Sequence, residues 1–224
     1  MKYTTFVCLF ASTLVVNSAA QVQTPSMRQG ISVHMANTAN ASPMPEADKE
    51  NAWVVAVTAD GRIFFGTKPV TDDGLAQIMQ ETPRHRDQEL YIKSDERASF
   101  GDLKPVLKAA IGVWFQSAVL LTNQDEATAL GKLVAPKGLT VILAPSSSRV
   151  TVQLRTSDEK LPRLAVNGQE ISASDLQTAL NQALQGQPDR VVRLQVDDNI
   201  SFAKVAFVID ECSSVNAHVA IPME

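Results

Sequence analysis

The sequence predicts an α+β fold made of two tandem two-layer α/β sandwich modules. Two observations carry that expectation. Several blocks recur about a hundred residues apart with the same order of apolar runs, turns and polar loops, as "repeat" architectures do. Within each copy, short strand-like runs and two amphipathic helical patterns alternate, and one pair of runs is joined by a hairpin signal. A hydrophobic share of 45% and a charged share of 20% over 224 residues suit a chain that buries a core.

The chain opens with Lys2, an apolar run from Phe6 to Val16, and the small residues Ser18, Ala19 and Ala20. That is the layout of a secretory signal peptide over residues 1–20, cleaved near Ala20. The alternative keeps residues 5–20 as a membrane anchor, although the run is shorter than the roughly 20 residues of a spanning helix.

The first module is expected over residues 29–123. "QGISVHMA" reads as a strand after Gly30, and "NTANASPMPEADKEN" as a connector rich in Pro, Asn and Ala. Two apolar runs then flank "ADG", where Asp and Gly both tolerate a positive φ and so favour a hairpin. Thr71 stands at a helix N-cap, and Leu75, Ile78 and Met79 give that helix one apolar face. The strand "LYIKS" leads to Asp95, a polar loop and Ser99-Phe100. Ser99 with Asp102 suits a capping box, while Pro105 delays or kinks the helix that follows. "SAVLLTN" closes the module as a strand.

Residues 124–136 form a linker, with "DEATALGKL" adding a helical turn. The second module, residues 137–224, repeats the plan from "KGLTVILA", with Gly138 matching Gly30 and Val141 matching Val33. "PSSSR" replaces the long connector. Ser172 takes the place of Thr71 as an N-cap, with Asp175 three residues on, and Leu176, Leu180, Ala183 and Leu184 form the helix face. In the sharpest block, Asp197 matches Asp95, Ser201 matches Ser99, and Phe202 matches Phe100.

The chemistry of these residues points away from catalysis. A net charge of −4 argues against nucleic acid, which calls for a basic footprint. His34, His85 and His218 are scattered and lack metal-ligand spacing, so no metal site and no cofactor is expected. No phosphate-binding loop, dinucleotide fingerprint or nucleophile elbow is present. Asp95 and Asp197 invite comparison with a hydrolase carboxylate pair. The plainer reading gives each the task of ordering the loop before a helix. Phe100 and Phe202 read as staples of those helices onto the sheet, and Cys212, in "FVIDECSSV", as a buried thiol.

The blocks "VVAVTADGRIFFGTKPVTDDGLAQIM", "LYIKSDERASFGDLKPVLKAAI" and "SAVLLTN" resemble the periplasmic domain of the ExbD/TolR family. Phe100 and Gly101 stand where that family has a Tyr/Phe-Gly pair, and "QGISVHM" resembles its extended segment between membrane helix and domain. Residues 137–221 resemble it more faintly. The resemblance implies two modules of ExbD/TolR periplasmic type and a part in energy coupling across the cell envelope. It implies a place beside a proton-conducting ExbB/TolQ-type partner, with periplasmic domains that dimerise and bind TonB-like or TolA-like proteins or peptidoglycan. One departure matters. The family's membrane helix carries a protonatable Asp, whereas residues 1–28 contain no Asp or Glu. Without an ionisable group there, this chain does not itself relay the proton.

The expectation is therefore a non-enzymatic envelope-binding protein, periplasmic, or held at the inner membrane if the N-terminus stays. Ile31 and Val33 in the first opening strand, and Leu139 and Val141 in the second, are the expected partner-binding residues. Those strands would accept a peptide at a sheet edge or swap between modules. The two copies are expected to pack as an intramolecular pseudo-dimer, in place of or alongside a homodimer.

Overall fold

A computed structural model describes residues 31–85, 87–123, 135–144, 147–157 and 162–223. The signal peptide or anchor expected over residues 1–20, and most of the linker, lie outside the described residues.

Unit one begins with a short strand β1 (Ser42–Pro43) and a 3-10 turn at Pro45–Asp48. It continues with β2 (Trp53–Val57), β3 (Ile63–Phe65), β4 (Lys68–Val70), α1 (Asp72–Glu81), β5 (Leu90–Ser94), α2 (Phe100–Gly112) and β6 (Ser117–Thr122). Unit two follows with β7 (Lys137–Ile142), β8 (Val150–Arg155), β9 (Arg163–Val166), β10 (Gln169–Ile171), α3 (Leu176–Ala183), β11 (Val191–Val196), α4 (Phe202–Ser214) and β12 (His218–Ala220). The repeat read from the sequence is thus a repeat of elements.

The expected α+β class is present, yet the strands form one sheet in the order β10-β9-β8-β11-β12-β7-β6-β5-β2-β3-β4, with β1 against β7. β6 and β7 make the join, antiparallel from Ser117↔Ile142 to Thr122↔Lys137. Alternate strand residues such as Val55, Ile92, Leu120, Leu139, Val152 and Leu194 share one core with residues of all four helices, including Leu75, Leu103, Leu180 and Ile209. Each fully buried Leu or Ile contributes about 1.5–3 kcal/mol, so this shared layer dominates stability. On the opposite face, Ala47, Ala52 and Met44 pack on Tyr91, Val119 and Leu121 of unit one. Unit two's counterpart face is polar: Gln153 donates to Gln195 at 2.9 Å, with Thr151 and Arg193 beside them. The long connector of unit one covers its apolar face.

The local signals read as expected in most places. Thr71 caps α1 by accepting the Gly74 N–H at 3.2 Å. Ser99 and Asp102 form the capping box of α2, which starts at Phe100 and runs through Pro105. Ser172 differs. Its hydroxyl bonds the Asp175 carboxylate at 2.6 Å, and the chain makes a 3-10 turn over Ala173–Asp175 before α3. Among the described residues, no helix is long and apolar enough to cross a membrane.

Candidate functional site

β7 lies at the centre of the sheet. It pairs with β6 on one side and parallel with β12 on the other, through Val219↔Val141 and Ala220↔Ile142. Leu139 and Val141 are buried, at 2% and 0% exposure. With both ladder sides filled, no partner strand adds here, so the expectation of an open edge at Leu139 and Val141 is corrected. Of the two roles foreseen, this strand takes the one that joins the modules.

The first opening segment forms no strand. Ile31 and Val33 are half-buried in backbone outside any strand, and β7 occupies the β6 edge that a lone unit would offer them. The segment is held by side-on contacts instead. The Ile31 carbonyl accepts from Lys93 Nζ at 3.0 Å, and the His34 carbonyl accepts the Glu96 N–H at 2.7 Å. Farther on, Asn123 exchanges bonds with Ala36 and Thr38. Asp210 of α4, itself buried, then accepts the N–H groups of Ala39 and Asn40 at 2.9 and 2.8 Å. Sequence reasoning missed Asp210, since its match in unit one is Lys108 and its partners lie 170 positions away.

The matched loops come together across the join. Ser99 and Ser201 form an antiparallel bridge. Phe100 and Gly101, the first residues of α2, donate their N–H groups to the carbonyls of Ile200 and Asp198 at 2.7 and 2.9 Å. Phe202 and Ala203, the first of α4, donate to Ala98 and Glu96 at 2.8 and 2.9 Å. The first turn of a helix has no internal acceptors for these groups. Each unit therefore supplies acceptors for the other's second helix. Both phenylalanine rings are buried, and a Cβ at Gly101 would meet Asp198 Cβ at 3.2 Å and its carbonyl oxygen at 3.3 Å. Gly101 is small because another backbone lies against it.

Asp95 and Asp197 order their loops. Asp95 is buried and takes Arg97 Nε at 2.8 Å and Nη2 at 2.9 Å, along with the N–H groups of Arg97 and His34 at 3.1 Å. The Arg97 guanidinium holds its carboxyl well below the usual carboxylate range, against the opposing effect of burial. A carboxyl so firmly ionised is a poor proton donor near neutral pH. Asp197 is half-buried, accepts the Thr156 N–H at 2.8 Å, and has Arg155 at 3.8 Å. Cys212 is buried and its thiol is pushed up to about 12, by burial first and by Glu211 second, so it is chemically quiet.

Beside the join runs a groove of about 290 Å³, lined by Phe100, Lys104 and Lys108 of unit one and by Arg155, Asp197 and Met223 of unit two. Lys104 is ion-paired with Asp198 across it. What the arrangement does chemically is fix two units as one rigid surface with mixed charge at their junction.

No curated protein and no solved structure gives a significant match. A family model described as biopolymer transport protein ExbD/TolR matches the chain twice, over residues 5–126 and again over residues 118–224. The two matches overlap over residues 118–126, which take in most of β6, and the second goes on through β7 to β12. The chain belongs to the ExbD/TolR family.

Proposed function

We propose that this protein is a non-enzymatic binding subunit of the cell envelope. It is related to the energy-transduction subunits of its family and engages a TonB-like or TolA-like protein or peptidoglycan. The observation that carries the reading is the β6–β7 ladder with its reciprocal helix capping. The family resemblance implies domains that work in pairs, and here the pair is a pseudo-dimer within one chain. Pairing then no longer depends on concentration. The chain brings no acid within residues 1–28, so proton-driven force comes from an ExbB/TolQ-type partner.

A second reading has one observation in its favour. The first family match starts at residue 5 and so includes the apolar run, which suits a membrane-anchored accessory subunit of an ExbB/ExbD-type complex. Intact mass and fractionation separate the two. A mature N-terminus near Gln21 in the soluble periplasm supports the secreted protein, whereas Met1 retained in the membrane pellet supports the anchored one.

The binding role itself is tested by sedimentation with purified peptidoglycan and by calorimetric titration with soluble TonB-like and TolA-like domains. Saturable binding to one of them is expected. Absence of binding to all three overturns the proposal.

A further inference from the structure

With β7 enclosed, the sheet has, among the described residues, two outer edges, β4 in unit one and β10 in unit two. Both are three-residue strands that close a two-residue hairpin. Gly66 opens the first turn with φ 63°, and Asn167-Gly168 form the second with φ 51° and 83°. Residues flanking such a turn form a hydrogen-bonded pair, and the next pair along does not. The flanking pairs are Phe65↔Lys68 and Val166↔Gln169, so the next are Phe64↔Pro69 and Ala165↔Glu170. Positions 69 and 170 therefore turn their backbone groups outward, away from the sheet. At 69 the residue is proline, which has no N–H to offer. At 170 the N–H is present, and among the described residues no strand lies beyond it. The same place in two copies is closed in one and open in the other.

Beside β10 the sheet edge and α3 enclose an open groove of about 820 Å³. Val166, Ile171, Ala179 and Ala183 supply its apolar surface and Asp175 a carboxylate, while Glu170, in register with Ala165 and Gln153, presents its side chain on the other face of the same edge. Arg163 reaches Glu170 at 3.3 Å, but both side chains are more than 60% exposed, and such a pair is weak enough to exchange. We propose that β10 accepts an extended peptide bearing Lys or Arg, added as a further strand whose alternate side chains enter this groove. A second copy of the chain is a poor occupant. Two-fold antiparallel pairing of β10 with itself about residue 170 sets Glu170 against Glu170, and pairing with β4 meets Pro69. An added strand alternates its faces, so its apolar side chains enter the groove while the intervening cationic ones meet Glu170 on the opposite face.

This inference rests on the binding role proposed above, and its test is independent of the natural partner's identity. The probe is a short fluorescein-labelled peptide of alternating Lys and Val, titrated into the full chain, with alternating Glu and Val as the control. Saturable binding is expected for the Lys peptide, with the Glu peptide at least about tenfold weaker. Glu170→Pro, which copies the residue of unit one, should weaken the Lys peptide at least about tenfold without moving the thermal melt. Glu170→Lys keeps the N–H and should invert the preference, which guards against misfolding of the proline variant. Amide exchange at residue 170 should slow when the Lys peptide is added. No saturable binding, equal affinity for both peptides, or full binding by both variants overturns the proposal. If Glu170→Pro loses the Lys peptide but still binds peptidoglycan or a TonB-like domain, the edge site stands, and the envelope role stands apart from it.

Discussion

Asp95 and Asp197 hold one position in two copies and meet different neighbours. Two residues on, unit one has Arg97 and unit two has Asn199. Arg97, itself largely exposed, pairs with the buried Asp95 carboxylate, while Asp197 relies on the Thr156 N–H and a distant Arg155. Because Asp95's folded pKa lies below its ordinary 3.8, the pair's contribution is complete above that value and is lost progressively below it, as pH falls through the lowered folded pKa. Arg97→Ala should lower the urea midpoint at neutral pH, since the Asp95 carboxylate loses its main donor. The same variant should lose less further stability below pH 3.8 than wild type, as read from urea midpoints in the two ranges. An equally steep acid limb in the variant would place the sensitivity elsewhere. The loop-ordering role of both aspartates was legible from their place between strand and helix. Trp114 was not. It sits just past α2 at φ 68° and 79% exposed, where its match in unit two, Asn216, takes φ 55°. Asn tolerates that region and Trp does not favour it, and nothing in the local pattern marks a left-handed residue there.

Helix starts were the most legible elements, because a cap needs only its own few residues. The two second helices nevertheless use their serines differently. Ser99 accepts the Asp102 N–H at 3.2 Å in a full capping box, whereas Ser201 makes no side-chain cap bond. At α4, the Ala98 and Glu96 carbonyls of the other unit take the first two N–H groups. Ser99→Ala should cost about 1 kcal/mol and Ser201→Ala only a few tenths, measured as shifts in denaturation midpoint. Equal losses would mean that the capping box at Ser99 adds nothing beyond the cross-unit carbonyls that both helices share. The opening strands show where local reading stops. "QGISVHMA" and "KGLTVILA" carry the same pattern, yet only the second becomes a strand. A sheet has room for one strand between β6 and β12, and the pattern does not say which copy fills it. Tertiary competition decides, as it does wherever strand propensity depends on neighbours.

At the scale of the molecule, the sequence supports two separately folding modules, and the structure replaces that with one sheet and one core. The second unit's fragment, residues 137–224, would expose the whole β6-facing side of β7. Residues 21–123 would expose the partner edge of β6 and lose the acceptors at Asp198 and Ile200 for α2. The full chain should therefore unfold in a single transition, while each fragment alone is far less stable and recovers structure when the two are mixed. Both tryptophans, Trp53 and Trp114, lie in unit one, so native fluorescence reports that unit and circular dichroism reports both. A Phe207→Trp variant in a Trp53→Phe/Trp114→Phe background, placed on the half-exposed side of α4, gives unit two its own signal. All three probes should share one midpoint in urea. Two separated midpoints, or fragments that melt as sharply and as high as the whole chain, would mean that the β6–β7 join is a contact between independent domains. In that case the pseudo-dimer could open, and β7 would again become an edge that a partner strand can reach.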